Sequence, residues 1–286
     1  MTSIWPALFG LVLSVAGCSG KPEPAQPAIW HVTGHGEQEA WLFGTIHAAP
    51  APLAWNTPPV AQALARSDEV MVEVANISDD AAVAQAFTAL SRTPGLPPVA
   101  ARVPADRRAS LASMLAARGI SESDLRDVET WTVALMLARP EDGSDGRNGV
   151  DRAVLAAAPN KRVIELEGAT AQLSIFDRLP EVQQRFLLSA VLSDAGALDD
   201  EADLVEVWRR GDMTRIEAET RTGLLADPAV RAALFTDRNR RWTTRIVAEV
   251  RSGHRPFVAV GAAHMAGPDG LAAMLTRAGY TVTRLD

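Results

Sequence analysis

The chain has 286 residues, 47% of them hydrophobic, so it can bury the core of one large domain or of two modest ones. Its formal net charge of −7 argues against a nucleic-acid partner, because such a partner requires a basic face. The single cysteine excludes an intramolecular disulfide, and the fold therefore depends on its hydrophobic core.

The first residues have the pattern of an export signal. Residues 7–17 form an apolar run that is too short to span a bilayer and suits the h-region of a signal peptide. Small residues then lead to Cys18, which resembles the lipidated cysteine of a bacterial lipobox. We predict a lipoprotein signal peptide over residues 1–18, lipidation of Cys18, and a Pro-rich tether over residues 19–28. A plain cleaved signal or an anchor is the alternative, because residues 1–6 contain no Lys or Arg.

Segments with the pattern of β-strands lie near both ends of the chain. Residues 28–47 predict a hairpin, residues 58–68 a helix with Pro in its first turn, and residues 69–76 a strand. Residues 255–264 form a continuous apolar run, typical of a strand buried on both faces, and a helix and a final strand follow it. The two ends can share one core only if their strands meet in a single sheet.

Helical patterns fill the middle of the chain, from about residue 79 to 251, and a strand near residues 161–167 interrupts them. We therefore predict an α/β (α+β) fold. A central mixed sheet is built from the N- and C-terminal strand-GxxH-helix-strand units, and a large helical insertion forms a cap over it. Residues 29–286 then make one domain, because neither end has enough strands for a domain of its own.

Each terminal unit carries the motif Gly-x-x-His at the point where its first strand ends. The first copy is Gly44 with His47, and the second is Gly261 with His264. A glycine at a strand end lets the backbone turn or approach a ligand closely. Each histidine would then emerge at the carboxyl edge of the sheet, where open α/β sheets bind ligands. Because the two copies have matching contexts, we predict that the histidines converge on one site.

Three glutamates complete the set of candidate residues. Glu73 lies in an apolar strand, so it must be ion-paired, metal-bound or near the end of the strand. Glu165 and Glu167 share one strand face, and at least one of them points to a cavity or to solvent. Two imidazoles and one carboxylate suit Zn, Mn, Fe or Co and leave positions open for water. Such a metal would activate its water near neutral pH, and a further glutamate could act as the general base.

The other histidines are poorer candidates. His31 and His35 lie in the hairpin and its turn, and His254 lies in a segment that ends a helix. Signatures of other enzyme classes are missing from the sequence, including G-x-S-x-G, H-E-x-x-H, the P-loop and G-x-G-x-x-G.

These motifs resemble those of the TraB/GumN family, which includes the TIKI metalloproteases and is related to the erythromycin-esterase/ChaN-like superfamily. The resemblance runs from about residue 29 to the end of the chain. It is carried by residues 42–47, 70–74, 149–173, 237–242 and 258–275.

The resemblance implies a metal-dependent hydrolytic site. It makes His47, Glu73 and His264 the ligands of a divalent metal, which is Mn, Co, Zn or Fe. It places Glu167 at an acidic position of the family, as a base or an extra ligand. It also matches Arg238 to a catalytic position, where the side chain would orient an acid or bind a carbonyl oxygen; a solvated arginine on a helix surface is the alternative.

The expected protein is a hydrolase of the bacterial cell envelope that acts on a peptide or small-molecule substrate. The N-terminal lipid would hold it to a membrane, at the periplasmic face and on the outer membrane; a free periplasmic protein is the alternative. The rival function is capture of haem, metal or a small ligand without catalysis, because the related ChaN-like branch includes haem-binding lipoproteins. A scaffold that keeps the histidines as relics is the weakest of the three.

Overall fold

The computed structural model describes residues 22–75, 80–138, 146–193 and 199–285. The predicted signal peptide and Cys18 lie outside the described residues. The strands are β1 (Glu23–Pro24), β2 (Ile29–Thr33), β3 (Glu39–Thr45), β4 (Leu53–Ala54), β5 (Glu69–Val72), β6 (Arg162–Glu165), β7 (Pro256–Gly261) and β8 (Thr281–Leu285). The helices are α1 (Pro58–Arg66), α2 (Asp80–Leu90), α3 (Arg108–Ala117), α4 (Thr130–Leu137), α5 (Val150–Ala157), α6 (Ala169–Asp177), α7 (Glu181–Ser193), α8 (Asp199–Arg209), α9 (Met213–Glu219), α10 (Pro228–Arg231), α11 (Asp237–Arg251) and α12 (Leu271–Arg277).

Six of the strands form one mixed sheet in the order β6-β5-β7-β3-β2-β8, which confirms the predicted fold class. The strands β6, β5, β7 and β3 pair in parallel, whereas β2 is antiparallel to both of its neighbours, β3 and β8. It follows that β8 runs in the same direction as β3. The strands from the two ends of the chain therefore meet in one sheet, as their shared core requires.

The two central strands, β3 and β7, are buried on both faces because helices cover the sheet on each side. Alternate side chains of a strand point to opposite faces. Trp41, Phe43 and Phe257 pack with α1 and α5 on one face. Leu42 and Val258 pack with α11 and α12 on the other. Burial on both faces explains why these strands are continuous apolar runs in the sequence.

The two strand-GxxH-helix-strand units diverge from the centre of the sheet. From β3 the chain passes through α1 to β5, on one side of the central pair, and from β7 it passes through α12 to β8, on the other side. The residues of α1 pack on one face and those of α12 on the opposite face. A point where neighbouring connections run in opposite directions leaves a crevice at the carboxyl ends of the strands. The fold therefore opens a crevice where both GxxH motifs lie.

The helical middle of the chain has two structural roles. The helices α3, α4 and α7 pack around a separate hydrophobic core, which includes Leu111, Val133, Leu187 and Leu188. In contrast, α5, α8 and α11 cover the faces of the sheet. The predicted strand within this region is β6, which forms an edge of the sheet. Among the helices of the four described ranges, none is both long and apolar enough to cross a membrane.

Residues 22–28, the described part of the predicted tether, lie against the domain. Ala25 and Ala28 are buried, and the backbone N–H of Gln26 donates to the carbonyl of Arg209 over 2.6 Å. Arg209 also pairs with Glu23 over 3.0 Å.

Candidate functional site

The predicted ligands His47 and Glu73 meet around Gly261. Glu73 follows the end of β5, and its Oε1 accepts a hydrogen bond of 2.9 Å from the backbone N–H of Gly261. A Cβ atom added to Gly261 would lie 3.4 Å from Glu73 Oε1 and 3.4 Å from His47 Nε2. Both side chains line a cleft of about 140 Å³. The two groups therefore face each other across the second motif glycine.

The first motif glycine brings the two motifs together. A Cβ atom on Gly44 would lie 2.9 Å from both the Cα and the Cβ of Ala262, which is inside the second motif. The carbonyl of Gly44 accepts a buried hydrogen bond of 2.8 Å from Trp208 Nε1. Gly44 is required for packing between the motifs, whereas Gly261 faces the side chains of His47 and Glu73.

His47 has a carboxylate partner that the sequence analysis did not single out. His47 Nδ1 donates to Asp151 Oδ2 over 2.9 Å, and Nε2 points toward Gly261 and Glu73. The side chain is 60% exposed, although both ring nitrogens point inward. Desolvation alone would lower the pKa of His47. The hydrogen bond to Asp151 and the negative charges of Glu73 and Asp151 outweigh desolvation and raise the pKa to about 9.

The segment before Asp151 fixes the loop that carries His47. The N–H of Val150 donates to the carbonyl of Ile46 over 2.8 Å, and Asn148 Nδ2 donates to the carbonyl of Ala49 over 3.0 Å. A Cβ on residue 149, which is a glycine, would overlap the carbonyl oxygen of His47. The only signal for Asp151 in the sequence is its place in the segment 149–173, which supports the family resemblance.

Glu73 is buried, and both of its carboxylate oxygens accept hydrogen bonds. Besides the bond from Gly261, its Oε2 accepts from Arg238 Nη2 over 2.6 Å and from Gln172 Nε2 over 3.0 Å. Burial alone would raise the pKa of this carboxyl group. The charge of His264, which is protonated only in acid, the charges of His47 and Arg238 and the N–H of Gly261 reverse that effect and lower the pKa to about 2. Glu73 is therefore a carboxylate at neutral pH.

Arg238 is buried, whereas Arg240 and Arg241 beside it are exposed. Its guanidinium group donates to Glu73, to His264 Nε2 over 3.2 Å and to both carboxylate oxygens of Glu167 over 3.0 and 3.1 Å. It also bonds the carbonyl of residue 234 and lies over the ring of residue 242. All of its donors are used within the protein, so Arg238 acts here as a buried cation that joins two carboxylates.

Glu167 lies away from the cleft. Its carboxylate pairs with Arg238 over 2.9 Å and with Arg241 over 3.3 Å, and it lines a different cavity. Glu165, its neighbour in the sequence, accepts a hydrogen bond of 2.8 Å from the N–H of Ala75. The structure thus brings Glu167 to Arg238 and leaves His47 with Asp151.

His264 has a different environment from His47. Its Nδ1 donates to the side-chain oxygen of Asn239 over 2.7 Å, and its ring stacks on Phe235 with ring centroids 5.4 Å apart. Burial lowers the pKa of His264 to about 3, with the positive charges of Arg238 and His47 acting in the same direction against the charge of Glu73. His264 is therefore neutral, and its Nε2 accepts from Arg238 Nη1.

The donor atoms fit a divalent metal beside His47 and Glu73. In the neutral ring, the bond to Asp151 leaves a lone pair on Nε2 of His47, the arrangement that metal-binding histidines use. Asp151 Oδ1 and Thr45 Oγ1 are buried at this cleft without a hydrogen-bond partner in the described part of the chain, and oxygen atoms of this kind suit a cation or its water. His264 can join this set only if Arg238 releases its Nε2.

The distances between possible ligand atoms agree with this distinction between His264 and the pair of His47 and Glu73. Within the described ranges, only Asp68, Glu69 and His254 form a set of three such side chains whose ligand atoms all lie within 4.8 Å. This set lies at the opposite edge of the sheet, where β5 and β7 begin. Arg162 donates to Glu69 there, so ion pairing explains the cluster. The predicted trio of His47, Glu73 and His264 is more widely spaced.

Replacing Gly261 with alanine tests whether the cleft is used. The new methyl group would lie 3.4 Å from both His47 Nε2 and Glu73 Oε1, which is an ordinary contact distance, so we expect the variant to fold. Because the methyl group would occupy the space between these two atoms, we expect metal affinity to fall by about a hundredfold. A titration with Mn or Co checks this, with circular dichroism as the control of folding. Metal binding equal to wild type would place the metal elsewhere.

The comparison of this chain with known proteins supports one family. The sequence model of the TraB/PrgY/gumN family matches residues 28–284, which is nearly the whole chain. No curated protein and no solved structure matches it.

Proposed function

We propose that this chain, which belongs to the TraB/PrgY/gumN family, is a metal-dependent hydrolase of the cell envelope that acts on peptide bonds. One observation carries the proposal. The His47–Asp151 pair faces the ionised Glu73 across a cleft at the carboxyl ends of the central strands. An oriented imidazole and a carboxylate at that position are suited to holding a metal and a water molecule.

In this proposal each residue around the cleft has a specific role. Asp151 accepts the Nδ1 proton of His47 and so directs the Nε2 lone pair into the cleft. Gly261 and Arg238 each hold one oxygen of Glu73, which fixes its carboxylate beside that lone pair. A bound divalent metal supplies Lewis-acid chemistry and lowers the pKa of its water to near neutral.

The proposal assigns a positioning part to Glu167. Its carboxylate holds Arg238 from the side away from the cleft, so it contributes to the orientation of Glu73 through Arg238. This differs from the part of base or extra ligand that the family resemblance implies for Glu167.

The size of the cleft favours a metal centre over haem capture. Its volume of about 140 Å³ is well below the roughly 300–1,000 Å³ of ordinary cofactor pockets. The second histidine is enclosed by Phe235 and Trp242, with ring centroids 5.4 and 4.5 Å from its own. A broad apolar slot beside an accessible histidine, which haem requires, is not formed by these residues.

Placement in the envelope rests on the sequence before the described residues. The lipobox pattern ending at Cys18 supports a lipid anchor on the periplasmic face. Metabolic labelling with palmitate tests this, because a Cys18→Ser variant should lose the label and any membrane association.

Metal content is the direct test of the proposed function. The full chain is loaded in turn with Mn, Co, Zn and Fe, and the bound metal is measured by mass spectrometry. We expect about one equivalent per chain for at least one metal, as a single site requires. If none of the four metals binds, the hydrolase proposal is wrong, and a Soret band after incubation with haem would support ligand capture instead.

Metal affinity should rise with pH up to about 9. A proton and a metal compete for Nε2 of His47, whose pKa is raised to about 9, so each pH unit below that value should weaken binding by about tenfold. Competition titrations between pH 7 and 9 measure the slope. Asp151→Asn removes the negative charge that raises this pKa, so its slope should be shallower. A wild-type affinity that does not change with pH would contradict His47 as a ligand.

A further inference from the structure

A second, larger cavity lies beside the candidate site. Its volume is about 410 Å³, and Leu166, Ile175 and Leu179 give it an apolar lining. The helix α6 separates it from the cleft, because Gln172 lines the cleft and Ile175 lines the second cavity. The carboxylate of Glu167, which holds Arg238, forms part of the same wall. The two cavities are therefore neighbours that lie on opposite sides of α6.

The charged side chains that line the second cavity are two carboxylates and two guanidinium groups. Glu167 is paired with Arg238 and Arg241, and Asp237 is paired with Arg240 over 2.8 Å. The guanidinium group of Arg178, which also lines the cavity, has no ion pair or hydrogen bond with any residue that the structure describes. Because ion pairs already occupy both carboxylates, the guanidinium group of Arg178 is available to an anionic ligand. A guanidinium group binds a carboxylate with two parallel hydrogen bonds.

A turn of π-helix forms part of the backbone at this cavity. Residues Ala232–Thr236 form a turn of π-helix, and Ala233 from that turn lines the cavity. Such turns are rare and are often found where a helix contributes to a binding or catalytic site. The same turn leads directly into Arg238 and Asn239, which hold Glu73 and His264. One backbone element therefore shapes both the cavity and the candidate site.

We propose that the second cavity is a subsite for the C-terminal residue of a peptide. Its apolar lining takes an apolar side chain, and Arg178 binds the terminal carboxylate. The inference rests on the proposed function for the choice of a peptide as ligand. It adds that the preferred substrates end in an apolar residue with a free carboxylate.

Calorimetry with small peptide probes tests the subsite without any turnover. N-acetyl-Leu-Leu with a free carboxylate is titrated into the full chain, and the probes for comparison are its C-terminal amide and N-acetyl-Gly-Gly. We expect the acid to bind at least about tenfold more tightly than the amide, because a hydrogen-bonded charge is lost in the amide. The glycine probe should also bind more weakly, because it buries little apolar surface.

Variants locate the binding. Arg178→Gln should remove the preference for the acid over the amide, whereas Arg240→Gln, at an exposed arginine paired with Asp237, should keep it. Ala171→Trp should fill the cavity from the exposed side of α6, and Thr170→Trp on the same helix is its control. No binding of the acid, or binding that Arg178→Gln leaves unchanged, would overturn the inference.

The same titration separates this inference from the proposed function. His47→Ala should bind the acid probe as wild type does, because the subsite does not include the cleft. A chain that binds metal but shows no preference among the probes contradicts only the subsite. A chain that binds the acid probe but no metal contradicts only the hydrolase.

Discussion

Replacing Arg238 with alanine is expected to lower the free energy of unfolding by about 3–5 kcal/mol, because two buried carboxylates lose the cation they share. The side chains of Glu73 and Glu167 are 8% and 6% exposed, so water does not replace the lost charge. The substitution also leaves Nε2 of His264 without its donor. Urea unfolding of the variant and of wild type measures the difference.

Two further variants make the expectation specific. Arg240→Ala, two residues further along the same helix, should change the free energy of unfolding by less than about 0.5 kcal/mol, because its ion pair is exposed. Arg238→Lys should lie between wild type and Arg238→Ala, because lysine keeps the charge but has fewer donors than the guanidinium group. If Arg238→Ala unfolds like wild type, the two carboxylates are not held by this residue.

The central strands of the sheet could be predicted because their burial leaves a pattern in the local sequence. Burial of β3 and β7 on both faces produced continuous apolar runs, and these runs end in the glycines that mark the carboxyl edge. The meeting of Gly44 and Gly261 near one crevice followed from the requirement that both ends share a core. The sequence did not predict how the helical middle divides into a separate helical core and two layers that cover the sheet. Helical periodicity shows that a face is buried but not what covers it.

The contacts within the site were less predictable because they join distant residues. His47 and Asp151 are 104 residues apart, and nothing near either one indicates the other. Arg238 lies in the run "RNRR", whose charge suggests a solvated helix face, yet only its first arginine is buried. The second cavity could not be found from the sequence, because its lining comes from separate helices.

The repeated motif does not produce two equivalent histidines. Both follow central parallel strands, but His47 is paired with a carboxylate and has a pKa near 9, whereas His264 is paired with an amide and has a pKa near 3. Burial lowers the pKa of both rings, but at His47 the hydrogen bond and charge of Asp151 help to outweigh it, whereas at His264 the charge of Arg238 adds to it and Asn239 brings no charge. We therefore assign different tasks to the two copies. In the proposed metal site His47 is the accessible ligand, whereas His264 contacts Arg238 from inside the fold.

This asymmetry predicts that replacing His47 with alanine mainly weakens metal binding, whereas replacing His264 with alanine mainly destabilises the fold. His47→Ala removes a side chain that is 60% exposed but leaves the buried carboxylate of Asp151 without its partner, so the free energy of unfolding should fall by about 1–2 kcal/mol, while metal affinity falls by at least about a hundredfold. His264→Ala removes a buried ring that packs against Phe235 and bonds Asn239, so it should destabilise the chain by about 2–4 kcal/mol. Thermal melting and metal titration of both variants check the pair of effects.

His35→Ala is the matched control, because this histidine is exposed in the hairpin turn and should alter neither quantity. If His47→Ala still binds one equivalent of metal with wild-type affinity, the metal does not use the cleft. If instead His264→Ala melts like wild type and loses the metal, the second motif supplies a ligand directly. In that case Arg238 must leave Nε2 of His264 when the metal binds, since one lone pair cannot serve both.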